Sequence, residues 1–284
     1  MAIFSNQATL TLGGQTIPSN IAYGELLEVL TLEKTALETA YTPDGTLTYV
    51  VTLRNTGTTA LTGLTITDDL GGYPFGAGTV YPLAYQDGTL RYFADGVLQA
   101  TPVVTAGPPL TVTGINVSPG GSSVLVYQAL PTAFANPGSD GTVTNTVTAT
   151  GGGLTTPVTA SFTLPAAAAP QLSITKSICP AQVTDNDRVT YTFLIRNTGT
   201  VPVVATDNAQ ITDDFDPILT GLSVTFNGTP WAQGTQYTYS EATGSFVTLP
   251  GNITVPAATV TQDPTTGAYT LTPGISTLTV VGTI

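Results

Sequence analysis

Apolar and polar residues alternate with a period of two through most of this chain. Leu30, Leu32 and Lys34 fall on one side of an extended segment, as do Leu64, Ile66 and Asp68, and Val143, Asn145 and Val147. Successive side chains of a strand point to opposite faces, so each set shares a face. The runs are short and are bounded by Gly, Pro, Asp and Asn, the pattern of antiparallel strands joined by turns. This predicts an all-β chain, with enough closely spaced strands to stack as sandwiches of two sheets.

The pattern occurs twice. LTLEKTA (30–36) resembles LSITKSI (172–178), and YVVTLRNTGT (49–58) matches YTFLIRNTGT (191–200). ITDDL (66–70) then answers ITDDF (211–215), and SPGGSSVLVYQAL (118–130) answers TPGISTLTVVGTI (272–284). Two tandem immunoglobulin-like Greek-key sandwiches are expected, over residues 30–163 and 164–284. The first copy continues past Leu130 into TVTNTVTAT, a strand carrying Asn145, whereas the second stops at Ile284. The second sandwich therefore reads as one strand short. SNQATLTLGG (5–14) resembles TNTVTATGGG (144–153), with Asn6 on Asn145 and Gly13–Gly14 on Gly152–Gly153. Residues 1–29 read as a donor strand followed by a linker, in which Pro18 and Gly24 suit a non-strand connection or at most a second short strand.

Parity gives this repeat its chemistry. With the apolar faces inward, the first sandwich buries Lys34, Asp68 and Asn145. The second points Lys176 and Asp213 inward and lacks an asparagine of its own. The chain holds only two lysines, and both stand at this equivalent position. A lysine or aspartate is rarely fully buried unless paired. One explanation is a buried salt bridge with a hydrogen-bonded asparagine, tolerated rather than stabilising. The other is covalent chemistry. Asp69 and Asp214 have the opposite parity and are expected at the surface or at strand ends.

Composition removes most alternatives. The 284 residues are 41% hydrophobic but only 8% charged, with a net charge of −12, which argues against nucleic acid and anionic membrane surfaces as partners. No histidine is present, so the commonest general base and metal ligand is missing. No metal, cofactor or membrane insertion is expected, nor an enzyme beyond a single-turnover reaction on itself. Cys179 is a lone cysteine, with no internal disulfide to form. TDNDRV (184–189) lacks the glycine and terminal glutamate of a calcium loop. The NVS, NGT and NIT triplets at 116, 227 and 252 are frequent in Thr-rich chains. Trp231 with Tyr237 and Tyr239 reads as packing rather than a sugar-stacking patch. MAIFSNQATL has neither a basic region nor a long apolar core, so it does not read as a secretory signal.

The series LEKTA, YVVTLRNTGT, ITDDL and VTNTVTAT resembles the bacterial surface repeat known as domain of unknown function eleven. It is also similar to the pilin and adhesin sandwiches that form internal Lys–Asn isopeptide bonds. That resemblance implies Lys34 as nucleophile, Asn145 as the amide attacked and Asp68 as the proton-shuttling acid. It likewise implies Lys176 and Asp213 in the second unit. Burial disfavours charge, and a neutral amine is a competent nucleophile. A protonated acid can steady the tetrahedral intermediate.

An incomplete sandwich invites strand addition at its open edge. The opening segment would bring Phe4, Ala8 and Leu10 as inward anchors and Asn6 to the reactive place. Burial of each large side chain is worth ~1.5–3 kcal/mol. Asn6 precedes Lys34 by 28 residues and Asn145 precedes Lys176 by 31, so each asparagine would serve the unit before it. The expectation is a head-to-tail homopolymer, a filament on the outside of a bacterial cell or spore, with Lys34–Asn145 bonds within chains and Lys176–Asn6 bonds between them. The competing expectation is a two-domain adhesin stalk with internal bonds only.

Overall fold

A computed structural model describes residues 2–26 and 28–284. The fold is all-β: antiparallel sheets, with one short 3-10 turn at Ala205–Asp207 among the described residues.

The chain opens with an arm of four short strands, β1 (Ala2–Asn6), β2 (Thr9–Leu12), β3 (Gln15–Pro18) and β4 (Ala22–Leu26). β1 pairs with β4 and β2 with β3, so the arm is one long hairpin. Its tip is Gly13–Gly14, at φ 61° and 85°, the left-handed pair that a tight two-residue hairpin turn demands. The segment expected as a linker thus carries two strands. Pro18 is tolerated because it closes β3 and leaves no ladder donor missing beyond it. Gly24 lies opposite Phe4, and a Cβ there would sit 2.3 Å from the Phe4 ring. The glycine is what lets the ring lie flat across the return strand.

The first sandwich starts with β5 (Leu30–Ala36), β6 (Leu47–Asn55) and β7 (Leu61–Asp68). One sheet runs β5, β6, Ser122–Pro131, Arg91–Ala94, Val97–Leu98; the other runs Val103–Thr105, Leu110–Val117, β7, Thr142–Gly151, Val158–Pro165. Tyr49, Val51 and Leu53 of β6 meet Leu64 and Ile66 of β7 and Val147 across the interior, all buried. The shared RNTGT motif has a structural use. Asn55 is buried and spends its side chain on backbone, donating to Thr59 O at 2.7 Å and accepting from Gly57 N at 2.9 Å. Asn197 does the same with Val201 O and Gly199 N.

In the second half, one sheet runs Leu172–Cys179, Arg188–Asn197, Gly274–Thr283, Thr220–Phe226, Thr229–Trp231. A smaller one holds Thr212–Asp214, Ser245–Thr248 and Tyr237–Tyr239 in that order. Phe193, Ile195, Phe246, Leu278 and Val280 fill the space between them. β7 has a hydrogen-bonded strand on each side. Its sequence counterpart Thr212–Asp214 pairs with Ser245–Thr248 on one side and, among the described residues, with no strand on the other.

Candidate functional site

In the first sandwich three strands converge on one buried point. β5 carries Lys34, β7 ends on Asp68, and Thr142–Gly151 carries Asn145 one inward position from Val147, the residue that pairs with Asp68. Lys34 is 3% exposed, Asp68 2% and Asn145 0%. The Lys34 ammonium ion-pairs with Asp68 Oδ2. The Tyr127 hydroxyl donates to that same oxygen, and Leu70 N donates to Oδ1 at 2.8 Å. Lys34 Nζ also lies 4.8 Å from the centre of the Tyr49 ring and 5.9 Å from that of Tyr127, and the two rings stack 5.8 Å apart.

Burial sets the electrostatics here. It holds the Lys34 amine below the usual lysine value, and the attraction of Asp68 only partly opposes it. It pushes the Tyr49 and Tyr127 hydroxyls upward. The Asn145 amide lies close enough to both hydroxyls to oppose that shift, more so at Tyr49 than at Tyr127, yet neither of its atoms makes a hydrogen bond of good geometry. Asn145 Nδ2 and Oδ1 and the Tyr49 hydroxyl are buried without partners. Each unsatisfied buried polar atom costs about 1–3 kcal/mol, so the amide does not stabilise the fold as it stands. An amine, a carboxyl group and an amide are thus buried together between the sheets.

Asp69, expected at the surface or at a strand end, follows the last residue of β7 and has a positional role. Its Oδ1 accepts from Gly71 N and Thr146 N, both at 2.8 Å, and its N donates to Thr146 O at 2.9 Å. It thereby clamps the residue next to Asn145. The two tyrosines were also absent from the sequence expectation. Tyr49 was visible as the first residue of the repeated decapeptide, aligned with Tyr191. Tyr127 carried no such signal.

The second unit presents the same pair in the open. Lys176 ion-pairs with Asp213 Oδ2, but their side chains are 39% and 18% exposed, against 0% and 3% for Lys34 and Asp68. Tyr191, Phe215 and Phe193 surround the ammonium at 4.5, 5.1 and 5.5 Å. Across from Tyr191 stands Val280, where Tyr127 stands across from Tyr49. Asp213 accordingly receives no tyrosine hydroxyl, and its Oδ2 takes no hydrogen bond of good geometry. On the Lys176 strand Leu172 is 49% exposed and Ile174 52%, whereas Leu30 is 4% exposed. A groove of about 160 Å³ runs between these residues and Ile195, Ile211 and Ile253.

Asn6 is exposed on the arm and hydrogen-bonds to neither lysine. Phe4, Leu10 and Ile17 are 60%, 63% and 52% exposed, and Ala8 is exposed beside them. Among the described residues every strand pairing of the arm is internal. Elsewhere, Cys179 is free and exposed. Trp231 stacks on Phe226 at 4.9 Å, while Tyr237 and Tyr239 are buried. Asp187 braces the turn at Thr184. Among the described residues no three His, Cys, Asp or Glu side chains gather as a metal site would require, and no helix is long and apolar enough to cross a membrane.

No family model matches the chain, that of the expected surface repeat included, and no curated protein sequence matches it. Among solved structures the chain is similar to BcpA, the major pilin subunit of Bacillus cereus, at 13% identity and a TM-score of 0.36, covering 96% of this chain and 73% of that one. It is similar to a 35 kDa C-terminal fragment of the major pilin GBS80 of Streptococcus agalactiae at 10% identity and a TM-score of 0.35, covering 87% and 91%. It is also similar to the pilus backbone RrgB of Streptococcus pneumoniae, at 9% identity and a TM-score of 0.34; there it covers 86% of its own length and 55% of the pilin. Likenesses this remote do not say what the present chain does.

Proposed function

We propose that this chain is the repeating subunit of an extracellular bacterial fibre, joined head to tail by strand donation and locked by Lys–Asn isopeptide bonds. One contrast carries the reading: a closed Lys34–Asp68–Asn145 site beside an open Lys176–Asp213 site, in a chain whose free arm displays Asn6 between Phe4, Ala8 and Leu10. Among the described residues Thr212–Asp214 has no strand partner on the side away from Ser245–Thr248, the side on which β7 receives the Asn145 strand. The arm of a second copy supplies a strand of matching pattern. A contact between two different surfaces of identical chains propagates into a filament unless it closes a ring.

The chemistry is a transamidation. The neutral Lys34 amine adds to Asn145 Cγ while the carboxyl group of Asp68 hydrogen-bonds the developing oxyanion. Asp68 then relays a proton from the lysine nitrogen to Asn145 Nδ2. The Cγ–Nδ2 bond breaks, ammonia leaves, and an amide joins the two side chains. Burial keeps the amine deprotonated more readily than in water, and the Tyr127 hydroxyl holds the acid in place. Between chains Lys176, Asp213 and Asn6 take the same three roles. The reaction turns over once and is not enzymatic in the ordinary sense.

The test is mass spectrometry of purified protein boiled in denaturant. The expected product is a Lys176 peptide of one chain bonded to an Asn6 peptide of another, one ammonia lighter than their sum. If only Lys34–Asn145 linkage is found and the protein stays monomeric, the filament reading is overturned, and the chain is a stalk with internal bonds.

A further inference from the structure

We infer that the donated element is the whole β1–β4 hairpin, with the return strands β3 and β4 covering the Lys176 strand of the neighbouring chain. This rests on the strand-donation reading and adds a second contact surface to it. The first sandwich supplies the template. There the Asn145 strand pairs not only with β7 but also, on its far side, with Val158–Pro165. The end of that outer strand bonds to the segment that follows β5, through Tyr41 N to Pro165 O at 3.0 Å and Ala167 N to Tyr41 O at 2.8 Å. Leu164 is buried beneath it, and Leu32 and Phe162 pack partly buried against the same core. Both strands of that hairpin are needed to close the side of the sandwich where Lys34 lies. One strand inserted beside Thr212–Asp214 would satisfy the open edge but leave Leu172 and Ile174, which belong to the other sheet, in water.

The arm matches the template at three pairs, on either side of a one-residue register shift at Gln7–Ala8 and Ser19–Ile21 that the template ladder lacks. Asn145 stands opposite Phe162 and Asn6 opposite Ala22; Val143 opposite Leu164 and Phe4 opposite Gly24; Ala149 opposite Val158 and Leu10 opposite Ile17. The two residues of each pair lie opposite one another and so share a face, and bulk lost on one strand is gained on the other at the Phe4–Gly24 pair. Both hairpins turn through glycines at positive φ, Gly13–Gly14 in the arm and Gly151–Gly153 in the template. The outward face is polar in the template, where Thr159, Ser161 and Thr163 are exposed. Asp214 fixes the register: it is exposed, while its counterpart Asp69 holds Thr146 N. The arm residue equivalent to Thr146 is Gln7, so Asp214 is placed to accept from Gln7 N when Asn6 reaches Lys176.

The experiment follows covalent joining of full-length chains on denaturing gels, with Lys34–Asn145 formation read in the same samples as a check on folding. Ala22→Glu and Ile17→Glu put charge on the inward face of the return strands, and Tyr23→Glu puts it on the outward face. All three positions are exposed in the single chain, so the sandwiches themselves are not disturbed. The first two are expected to slow Lys176–Asn6 joining at least ~tenfold, equivalent to about 1.4 kcal/mol, and the third to change it less than ~twofold. Hydrogen exchange supplies the second measurement. Residues 15–26 are expected to be protected in the polymer and exchanging in a Lys176→Ala chain held monomeric by dilution. If the inward variants join at the wild-type rate, or residues 15–26 exchange equally in both states, the return strands are only a tether and the inference is overturned. If wild-type chains never join, the strand-donation reading fails and takes this inference with it.

Discussion

Asp68 and Asp213 occupy equivalent positions in different company, and one difference is a tyrosine hydroxyl. Tyr127 donates to Asp68 Oδ2 in the first unit, and Val280 stands in the matching place in the second. A hydrogen bond to a charged group is worth about 1.5–3 kcal/mol, roughly ten- to a hundredfold in rate if it is kept through the transition state. Tyr127→Phe is therefore expected to slow Lys34–Asn145 bond formation by about that factor without unfolding the sandwich, as read by the time course of ammonia loss in freshly refolded protein. The buried groups also give a pH signature in Asn145→Ala, where the lysine stays free. The Lys34 pKa is lower in the folded state than its usual 10.5. Between the folded value and 10.5 the unfolded chain binds more protons, so stability rises with pH. Tyr49 and Tyr127 are shifted upward; above about pH 10 the unfolded chain loses their protons first, and stability falls. Denaturant midpoints of Asn145→Ala are thus expected to climb through the alkaline range to about pH 10 and then turn down. The absence of a rise below about pH 10 would show that Lys34 is hydrated.

At the scale of strands, the period-two pattern made the all-β architecture legible, and it made the inward set of Lys34, Asp68 and Asn145 legible as well, because a strand has only two faces. It hid the tyrosines: an inward tyrosine has the parity of any core residue, and nothing local says that its hydroxyl will meet a carboxylate from another sheet. It hid Asp69 for the opposite reason, since an outward carboxylate at a strand end looks solvated until the strand it clamps is in place. The return strands of the arm were hidden by Pro18 and Gly24, which break strands in isolation. Here the proline falls on a strand end and the glycine lies under the Phe4 ring. Asp214 is where strand-level reasoning can be tested. Its counterpart holds one backbone amide of the docked strand, and a hydrogen bond to a charged acceptor is worth about 1.5–3 kcal/mol. Asp214→Ala is expected to weaken association of the chains by roughly ten- to a hundredfold while leaving Lys34–Asn145 formation unchanged. Sedimentation of Lys176→Ala chains with and without the substitution isolates docking from bonding.

For the whole molecule, the two proposed bonds set which residues would carry load in the proposed fibre. In a pulled fibre, tension enters a subunit at Asn6, runs along the backbone to Lys34, crosses to Asn145, continues to Lys176 and leaves for the next Asn6. The stretches under tension are 6–34 and 145–176; residues 35–144 of the first sandwich, most of its strands included, and the body of the second from residue 177 onward hang outside the covalent path. At ~3.3–3.6 Å per extended residue, a subunit can lengthen to roughly 200 Å and no further without breaking a bond. Asn145→Ala removes the internal shortcut and leaves the joint between chains intact, so the path becomes continuous from residue 6 to 176. The same subunit then yields roughly 600 Å once its first sandwich unfolds. Force spectroscopy on single fibres is expected to record short, stiff extension for wild type and a sawtooth of longer releases for Asn145→Ala. Equal contour lengths in the two would mean that Lys34 and Asn145 are not bonded in the fibre. Long releases already present in wild type would mean that load passes from chain to chain elsewhere than through Asn6 and Lys176.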